Sequence, residues 1–142
     1  MKPTFLRGLL VALLVGTSLP ATAQPAGFEA FGGKAGLVAL MDDFMQRLLA
    51  DPRTAPFFKD VNQAHVKAQL VDQFCERLGG PCRYEGADMK SSHQDLAVGR
   101  RHFLALVELL QQAMDARGVP FAEQNRLLAK LAPMSRDIIT AR

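Results

Sequence analysis

The spacing of apolar residues predicts a first helix between about Lys34 and Ala50. Apolar side chains recur there at intervals of three or four residues: Leu37, Leu40, Met41, Phe44 and Leu48. That interval places them on one face of an α-helix. Asp51-Pro52 ends the pattern. The stretch from Thr54 to Asp60, centred on two phenylalanines, is too short and too interrupted by proline for a long element.

Three further apolar rows follow along the chain. Asn62 is a good N-cap for a helix with the row Val66, Leu70, Phe74 and Leu78, which Gly79-Gly80-Pro81 stops. Gly99 opens the next helix and Gly118 closes it, around the row Phe103, Leu106, Val107, Leu110 and Met114. Pro120 begins a last helix that extends to Ile138 and is kinked by Pro133. No stretch has the pattern of a strand, so the predicted class is all-α.

The segment 82–98 differs from its surroundings, because it holds few apolar residues and lies between two strongly apolar helices. Cys82 to Ala87 has the composition of a loop, and Asp88 can cap a short helix that ends near His93. A polar segment between two core helices usually frames a cavity or a ligand.

Composition identifies one globular domain behind a predicted leader. The chain has 142 residues, 49% of them hydrophobic and 22% charged, which excludes collagen, coiled coils and disordered chains. Lys2 and Arg7 give a positively charged region before an apolar stretch over 8–20. Ala21-Thr22-Ala23 has the small-x-small pattern of a cleavage site. Residues 1–23 therefore resemble a signal peptide, with an uncleaved anchor as the alternative. We expect a periplasmic or secreted domain at 24–142, with no membrane anchor after cleavage.

The charge of this predicted mature domain is nearly balanced. Cleavage removes Lys2 and Arg7 and no acidic residue, which leaves 15 basic and 14 acidic side chains. Such a balance gives no electrostatic basis for binding DNA or RNA. Cys75 and Cys82 flank a chain reversal. In an exported protein they can form a disulfide, and two small buried thiols are an equally open interpretation.

The candidate chemistry centres on one histidine. The sequence has no phosphate-binding glycine loop, no C-x-x-C motif and no C-x-x-C-H motif for covalent haem, and its three histidines are too far apart for a local metal motif. His93 lies on a short polar helix where no core requires an imidazole. Opposite it, the row from Val66 to Phe74 and the preceding helix form an apolar wall. A lone surface histidine and an ordinary core are the simpler interpretations, but haem iron is also held by one imidazole in a dry slot.

Several ordered motifs resemble those of a group 1 truncated haemoglobin, the short globin in which two helices pack over two around haem. The resemblance covers Phe28 to about Ile139. It is carried by Phe31-Gly32-Gly33, Asp43-Phe44, Leu49-Ala50-Asp51, Pro56-Phe57-Phe58, Leu78-Gly79-Gly80-Pro81, Tyr84-x-Gly86-x-x-Met89-Lys90-x-x-His93, Phe103, Gly118-Val119-Pro120 and Ala132-Pro133. Each motif alone is weak, and their order and spacing together are specific.

The resemblance implies a haem b that is held without a covalent bond, with His93 as the proximal iron ligand. It implies that Phe74 gates an apolar gas tunnel and that Tyr84 and Lys90 lie at the haem edge, where a cation can meet a propionate. The other residues that it places around the haem are Phe44, Met45, Phe57, Phe58, Val66, Leu70, Val98, Phe103 and Leu106.

The chain departs from the family on the distal side. Met45 stands where the family usually has a tyrosine that donates to dioxygen, and Val66 and Leu70 stand where polar groups are common. Gln69 and Gln73 remain nearby but are less well aimed. Bound dioxygen gains negative charge, so a missing donor costs on the order of 1–3 kcal/mol. We therefore expect faster dissociation of oxygen than in tyrosine-bearing relatives, and little change for carbon monoxide.

Met45 also opens a second interpretation, because a thioether can be an axial ligand of haem iron. His65, one residue before Val66, is a further candidate if the helix slips. Met45 as an apolar filler is the favoured interpretation, because unbranched methionine fits irregular gaps.

The leading functional hypothesis is reversible binding of a diatomic gas (oxygen, carbon monoxide or nitric oxide) by a monomer. One alternative is a nitric oxide dioxygenase, which needs tightly held oxygen and a reductase partner. Another is an electron-transfer or redox-sensing haem protein with Met45 as the sixth ligand. The last alternative is a small helical protein that binds no haem.

Overall fold

The computed structural model describes residues 26–141, so the predicted leader lies outside the described residues. Within that range all regular structure is helical, which confirms the all-α prediction. A 3₁₀ turn over Gly27–Phe31 is followed by α1 (Gly33–Ala50), α2 (Ala55–Phe58), α3 (Gln63–Arg77), α4 (Met89–His93), α5 (Arg100–Ala116), α6 (Phe121–Leu131) and α7 (Ser135–Ile138). No helix in this range is both long enough and apolar enough to cross a membrane.

Helix α1 is the centre of the packing. It lies against α3 and α5, and both of these helices also contact α6. The five residues of the predicted apolar row are buried, together with Met45. Apolar side chains of α3, α5 and α6 pack over this face. Helix α1 supplies the largest share of the buried core.

Local capping explains where α3 begins and ends. The Asn62 side chain accepts a hydrogen bond from the His65 N–H at 3.1 Å, as the sequence predicts for an N-cap. After Arg77 the chain reverses through Gly79, whose φ is +82°, a conformation that favours glycine. At Gly80 a side chain would have no room, because a Cβ would lie 2.6 Å from the Phe28 ring.

The reversal brings the two cysteines together. Cys75 on α3 and Cys82 beyond the turn are joined by a disulfide, with 5.6 Å between their Cα atoms. Of the two interpretations that the spacing left open, the structure therefore has the bonded one.

Two details at the chain ends differ from the predictions. The last helix is not continuous to Ile138, because a 3₁₀ turn over Ala132–Met134 separates α6 from α7. Pro133 lies in that turn and has no N–H to continue an α-helical ladder. The entry segment, for which no element was predicted, forms the 3₁₀ turn of Gly27–Phe31. Its Gly27 N–H donates to the buried Glu123 carboxylate at 3.0 Å, a tertiary contact that local sequence does not encode.

Candidate functional site

Helix α4 is short, and its N-cap residue Asp88 stabilises its first turn. The Asp88 carboxylate accepts a hydrogen bond from the Ser91 N–H at 2.9 Å, and the Asp88 carbonyl accepts one from the Ser92 hydroxyl at 2.7 Å. Hydrogen bonds from Ser91 hold the pKa of the Asp88 carboxyl below its usual value. These bonds fix the first turn of the helix, which packs against α7. The predicted cap and the predicted helix are both present.

The imidazole of His93 is oriented for ligation through one nitrogen. Its Nδ1 lies 2.8 Å from the carbonyl oxygen of Met89, and the hydroxyl of Ser92 lies 2.9 Å away. A carbonyl only accepts, so this contact places the hydrogen on Nδ1 and leaves the lone pair on Nε2. Metal-bound histidines typically have such a bond on their second nitrogen, which fixes the tautomer and the ring orientation.

The predicted apolar lining residues differ in burial. Phe44, Met45, Phe74 and Val98 are buried. A second group is only half-buried although its members are large and apolar: Phe57, Phe58, Val66, Leu70, Phe103 and Leu106. Four of these six pack against the buried core from α2, α3 and α5, namely Phe58, Val66, Leu70 and Leu106. These four side chains therefore extend the core outward and keep part of their apolar surface accessible.

This combination fits a haem. A porphyrin needs a flat apolar slot and one imidazole with a free lone pair, and the half-buried side chains of α2, α3 and α5 together with His93 have that chemistry. Among residues 26–141, no group of three or more His, Cys, Asp and Glu side chains could hold a metal ion.

Two glutamines of α3 face the loop that leads to α4. A Cβ on Gly86 would lie 2.1 Å from Oε1 of Gln69 and 2.5 Å from the hydroxyl of Tyr84, so the loop backbone lies tightly against Gln69. That Oε1 is buried without a hydrogen-bond partner among the described residues. The Gln73 amide lies 3.9 Å from the sulfur of Met89. Both side chains thus contact the loop or α4, and their aim relative to a gas ligand stays a prediction.

The two residues predicted at the haem edge lie on the same loop and helix. The Tyr84 hydroxyl donates to the carbonyl of Ala87 at 2.7 Å, and partial burial, with a smaller contribution from Asp88, raises its pKa. Lys90 is exposed on α4. Their contact with a propionate stays a prediction.

The turn between α4 and α5 is held by residues that sequence reasoning missed. The Val98 N–H donates to the Thr140 hydroxyl at 3.2 Å, and the Val98 carbonyl accepts from the N–H groups of Thr140 and Ala141. The Gly99 N–H donates to Nδ1 of His102 at 3.0 Å. The ring of His102 in turn packs against Phe57, with 5.0 Å between centroids. A polar side chain three residues after the glycine N-cap was the available local signal for His102, whereas nothing local indicates Thr140.

Two clefts of the molecule lie away from His93. One has a volume of about 270 Å³ and lies between the first turn, α1 and the end of α5, where Leu40 and Arg117 line it. The other, of about 460 Å³, lies between Phe28 and the Gly79-Gly80 turn. Neither is lined by a residue of the predicted haem site.

Comparisons with known proteins identify the family. The model of the bacterial-like globin family matches residues 26–140. A group 1 truncated haemoglobin of Mycolicibacterium paratuberculosis is 34% identical over 119 residues, which cover 83% of this chain and 88% of that protein. Another, from Tetrahymena thermophila, is 35% identical over 96 residues, covering 68% of this chain and 79% of that protein.

Solved structures agree with the sequence matches. The truncated haemoglobin of Tetrahymena pyriformis in its Fe(III) form superposes with a TM-score of 0.75 at 29% identity, over 79% of this chain and 96% of that one. The 2/2 haemoglobin of a Synechococcus species, in the cyanomet state and with covalently attached haem, has the same TM-score at 26% identity, over 80% of this chain and 98% of that one. The chain therefore belongs to the bacterial-like globin family, whose members bind a diatomic gas at haem, and within it to the group 1 truncated haemoglobins.

Proposed function

We propose that this globin holds haem b without a covalent bond, through Nε2 of His93, and binds a diatomic gas reversibly in an apolar distal pocket. The observation that carries the proposal is the contact of His93 Nδ1 with the Met89 carbonyl. It leaves Nε2 as the nitrogen with a lone pair. Bound haem would supply an iron centre that takes a gas ligand, and this chain would supply His93 as the iron ligand, the apolar walls and the exclusion of water.

The chemistry of the cysteines supports a haem that is not attached through sulfur. A thioether link to haem needs a cysteine thiol, and Cys75 and Cys82 are bonded to each other. The Synechococcus relative contains covalently attached haem, so the mode of attachment in this chain needs its own test. Denaturation in acidic butanone, which extracts haem b, tests this point. Extraction of all the haem is the expected result.

The distal wall explains the ligand behaviour that we expect. Met45 is 4% exposed on α1, and Val66 and Leu70 follow it along the wall on α3. None of these three side chains donates a hydrogen bond. A ligand that gains negative charge on binding, as dioxygen does, loses on the order of 1–3 kcal/mol without a donor. Carbon monoxide gains little charge, so its affinity depends much less on this wall.

The primary test is the absorption spectrum of the haem-loaded protein in its ferric, ferrous and ferrous carbon monoxide states. We expect a five-coordinate ferrous form that binds carbon monoxide. His93→Ala should lose this spectrum, and added imidazole should restore part of it by occupying the space of the missing ring. His65→Ala is the matched control, because His65 is exposed at the start of α3, and it should leave the spectrum unchanged. Normal haem binding by His93→Ala without imidazole would contradict the assignment.

A second candidate is an electron-transfer or redox-sensing protein with Met45 as a sixth ligand. The observation in its favour is the burial of Met45 on α1, at a position that the family resemblance places beside the haem. A six-coordinate ferrous form that resists carbon monoxide, and becomes five-coordinate in Met45→Leu, would establish it. A five-coordinate ferrous form in the unchanged protein would exclude it.

The oxygen dissociation rate tests the missing donor directly. Met45→Tyr places a hydroxyl at the position where the family resemblance implies one. We expect oxygen to leave about 10- to 100-fold more slowly, since about 1.4 kcal/mol corresponds to a factor of ten. Met45→Phe is the matched control, because it adds the ring without the hydroxyl. Equal slowing in both variants would show that ring volume and not hydrogen bonding controls the rate.

The proposal includes export and a monomeric state. Residues 1–23 have the charge and apolar pattern of a signal peptide, and we propose cleavage after Ala23 and a periplasmic or secreted location. Expression of the full chain in a Gram-negative host, followed by fractionation and mass spectrometry, should find a protein that begins at Gln24 outside the cytoplasm. Size-exclusion chromatography of that protein should give the mass of one chain.

A further inference from the structure

We propose that the Cys75–Cys82 bond is a thiol-exchange site that controls how firmly this globin retains haem. A dithiol reductant attacks Cys82, and opening the bond releases the loop that carries the helix of His93. The part of this inference that concerns haem rests on the proposed function, whereas the exchange chemistry at the two sulfurs does not.

The bond joins the two sides of the proposed haem site. Cys75 lies in the last turns of α3, the helix whose Val66, Leu70 and Phe74 form one apolar wall. Cys82 begins the loop that leads through Gly86 to the N-cap Asp88 and then to His93. The disulfide is therefore a covalent link between the wall of α3 and the segment that positions the proposed iron ligand.

Few other contacts hold this loop. Arg83, Glu85 and Ala87 are exposed. The loop lies against α3 where Gly86 meets Gln69, and its continuation meets α3 where the Met89 sulfur lies 3.9 Å from the Gln73 amide. Since that amide–thioether contact is weak and the Gln69 oxygen is unpartnered, neither contact replaces the covalent link when it opens.

The two sulfurs differ strongly in access. Cys75 is 0% exposed; a Cβ on Gly80 would lie only 2.7 Å from its Sγ, so the turn backbone covers it. Cys82 is half-buried. A thiolate from solvent therefore reaches Cys82 and not Cys75, and this difference fixes the direction of exchange.

The reaction balances with a dithiol as the reductant. One reductant thiolate attacks Sγ of Cys82, a new disulfide forms between them, and the bonding pair of the old disulfide leaves on Sγ of Cys75. That thiolate then takes up a proton to become a thiol, the favoured form in buried surroundings. The second reductant thiol attacks the reductant's own sulfur in the mixed disulfide and releases Cys82 as a thiol. The reductant loses two electrons as it becomes a disulfide, and the cysteine pair gains them.

The first experiment maps the site of attack. The full-length or mature chain is incubated with a dithiol oxidoreductase whose resolving cysteine has been changed to serine, which traps the mixed disulfide. Peptide mass spectrometry should find the link at Cys82. A link at Cys75, or two free thiols in the protein before treatment, would overturn the proposal.

The second experiment measures haem retention. Ferric haem transfer to an excess of apomyoglobin is compared between the unchanged protein and Cys75→Ala/Cys82→Ala, and we expect roughly tenfold faster transfer from the variant, the scale of effect typical of groups that orient a metal ligand. Treatment with a dithiol should accelerate transfer from the unchanged protein to the same rate. The double variant is the control for the reductant and should not respond to it. Circular dichroism checks that the variant remains folded.

The outcomes separate this inference from the proposed function. Equal transfer rates in the folded double variant and the unchanged protein would overturn the link between the disulfide and haem retention while haem binding itself stands. If the unchanged protein binds no haem, the proposed function fails and the retention claim fails with it. Locating the mixed disulfide in the haem-free chain would then still show whether thiol exchange occurs at Cys82.

Discussion

The two sides of the proposed haem site are held together by different kinds of interaction. On the distal side, α1 and α3 pack through continuous apolar faces, and the side chains of Leu37, Leu40 and Leu48 have at most 1% exposure. On the proximal side, the segment from Cys82 to Gly99 contains a single buried residue, Val98. Its position depends on the packing of α4 against α7, the Asp88 cap, the His93 ring contact, the bonds between Val98 and Thr140, and one disulfide.

This difference has a physical consequence. Apolar packing depends little on pH and on thiols near neutrality, so the distal wall keeps its shape across those conditions. Hydrogen bonds to carboxylates weaken when the pH falls, and disulfides open when thiols attack them. The side that carries the proposed iron ligand is therefore the side that solution conditions can loosen, while the side proposed to shape the gas pocket stays constant.

The largest expected effect is on the distal side. Leu37→Ala removes a fully buried side chain from the first half of α1 and should lower the free energy of unfolding by roughly 2–5 kcal/mol. Leu96→Ala is the proximal counterpart, because Leu96 is 44% exposed, and a surface change of this kind should cost about 0.5 kcal/mol or less. Urea denaturation followed by circular dichroism measures both. Similar losses in the two variants would remove the contrast between the two sides.

A smaller effect is expected where the loop meets α3. Gly86→Ala introduces a Cβ that collides with the ends of the Gln69 and Tyr84 side chains. The end of Gln69 can move, but the Tyr84 ring is rigid and its hydroxyl is bonded to the Ala87 carbonyl. The cost should therefore be that of ordinary overpacking, about 1–3 kcal/mol. Gln69→Ala combined with Gly86→Ala should recover part of the loss, and thermal unfolding of the two variants tests this. A full loss in the double variant would assign the cost to the backbone of the loop.

The cap of α4 should make the proximal side sensitive to acid. The pKa of Asp88 is lowered in the folded chain from an ordinary value of 3.8 by bonds from Ser91. The stabilisation is therefore complete above that ordinary value and is lost as the pH falls below it towards the folded pKa. Asp88→Asn keeps a capping oxygen that does not titrate, so haem transfer from this variant should depend less on pH in that window. Asp88→Ala should transfer haem faster at neutral pH as well.

The sequence predicted those features that local patterns encode. The buried face of α1 follows from its apolar spacing, and the caps Asn62 and Asp88 follow from the residue types that precede each helix. His93 was singled out by its position on a short polar helix and by the family resemblance, and its role as iron ligand stays a prediction. The structure adds the carbonyl contact that orients its ring.

Other features depend on contacts between distant parts of the chain. The pairing of Val98 with Thr140 joins residues that are far apart in sequence, and a short polar side chain near a chain end has no distinctive pattern. The disulfide was undecided because two cysteines flanking a turn are compatible with bonded and free thiols until the path of the chain is known. The contact between Gln69 and Gly86 was missed because glutamine has no fixed local partner.

The smallest expected effect concerns Ala97, which has a φ of +51° and is the non-glycine residue with positive φ among residues 26–141. This left-handed conformation costs an alanine roughly 1–2 kcal/mol, and glycine avoids that cost but loses more backbone entropy on folding. Ala97→Gly should therefore raise the free energy of unfolding by about 0.5 kcal/mol, the difference between the two terms. Ala87→Gly is the matched control in the same segment, since Ala87 has no positive φ and should gain nothing. If Ala97→Gly is more stable but releases haem faster, strain at this corner helps to hold the proximal side. If it is less stable than the unchanged chain, the entropy that glycine loses on folding outweighs the strain at Ala97.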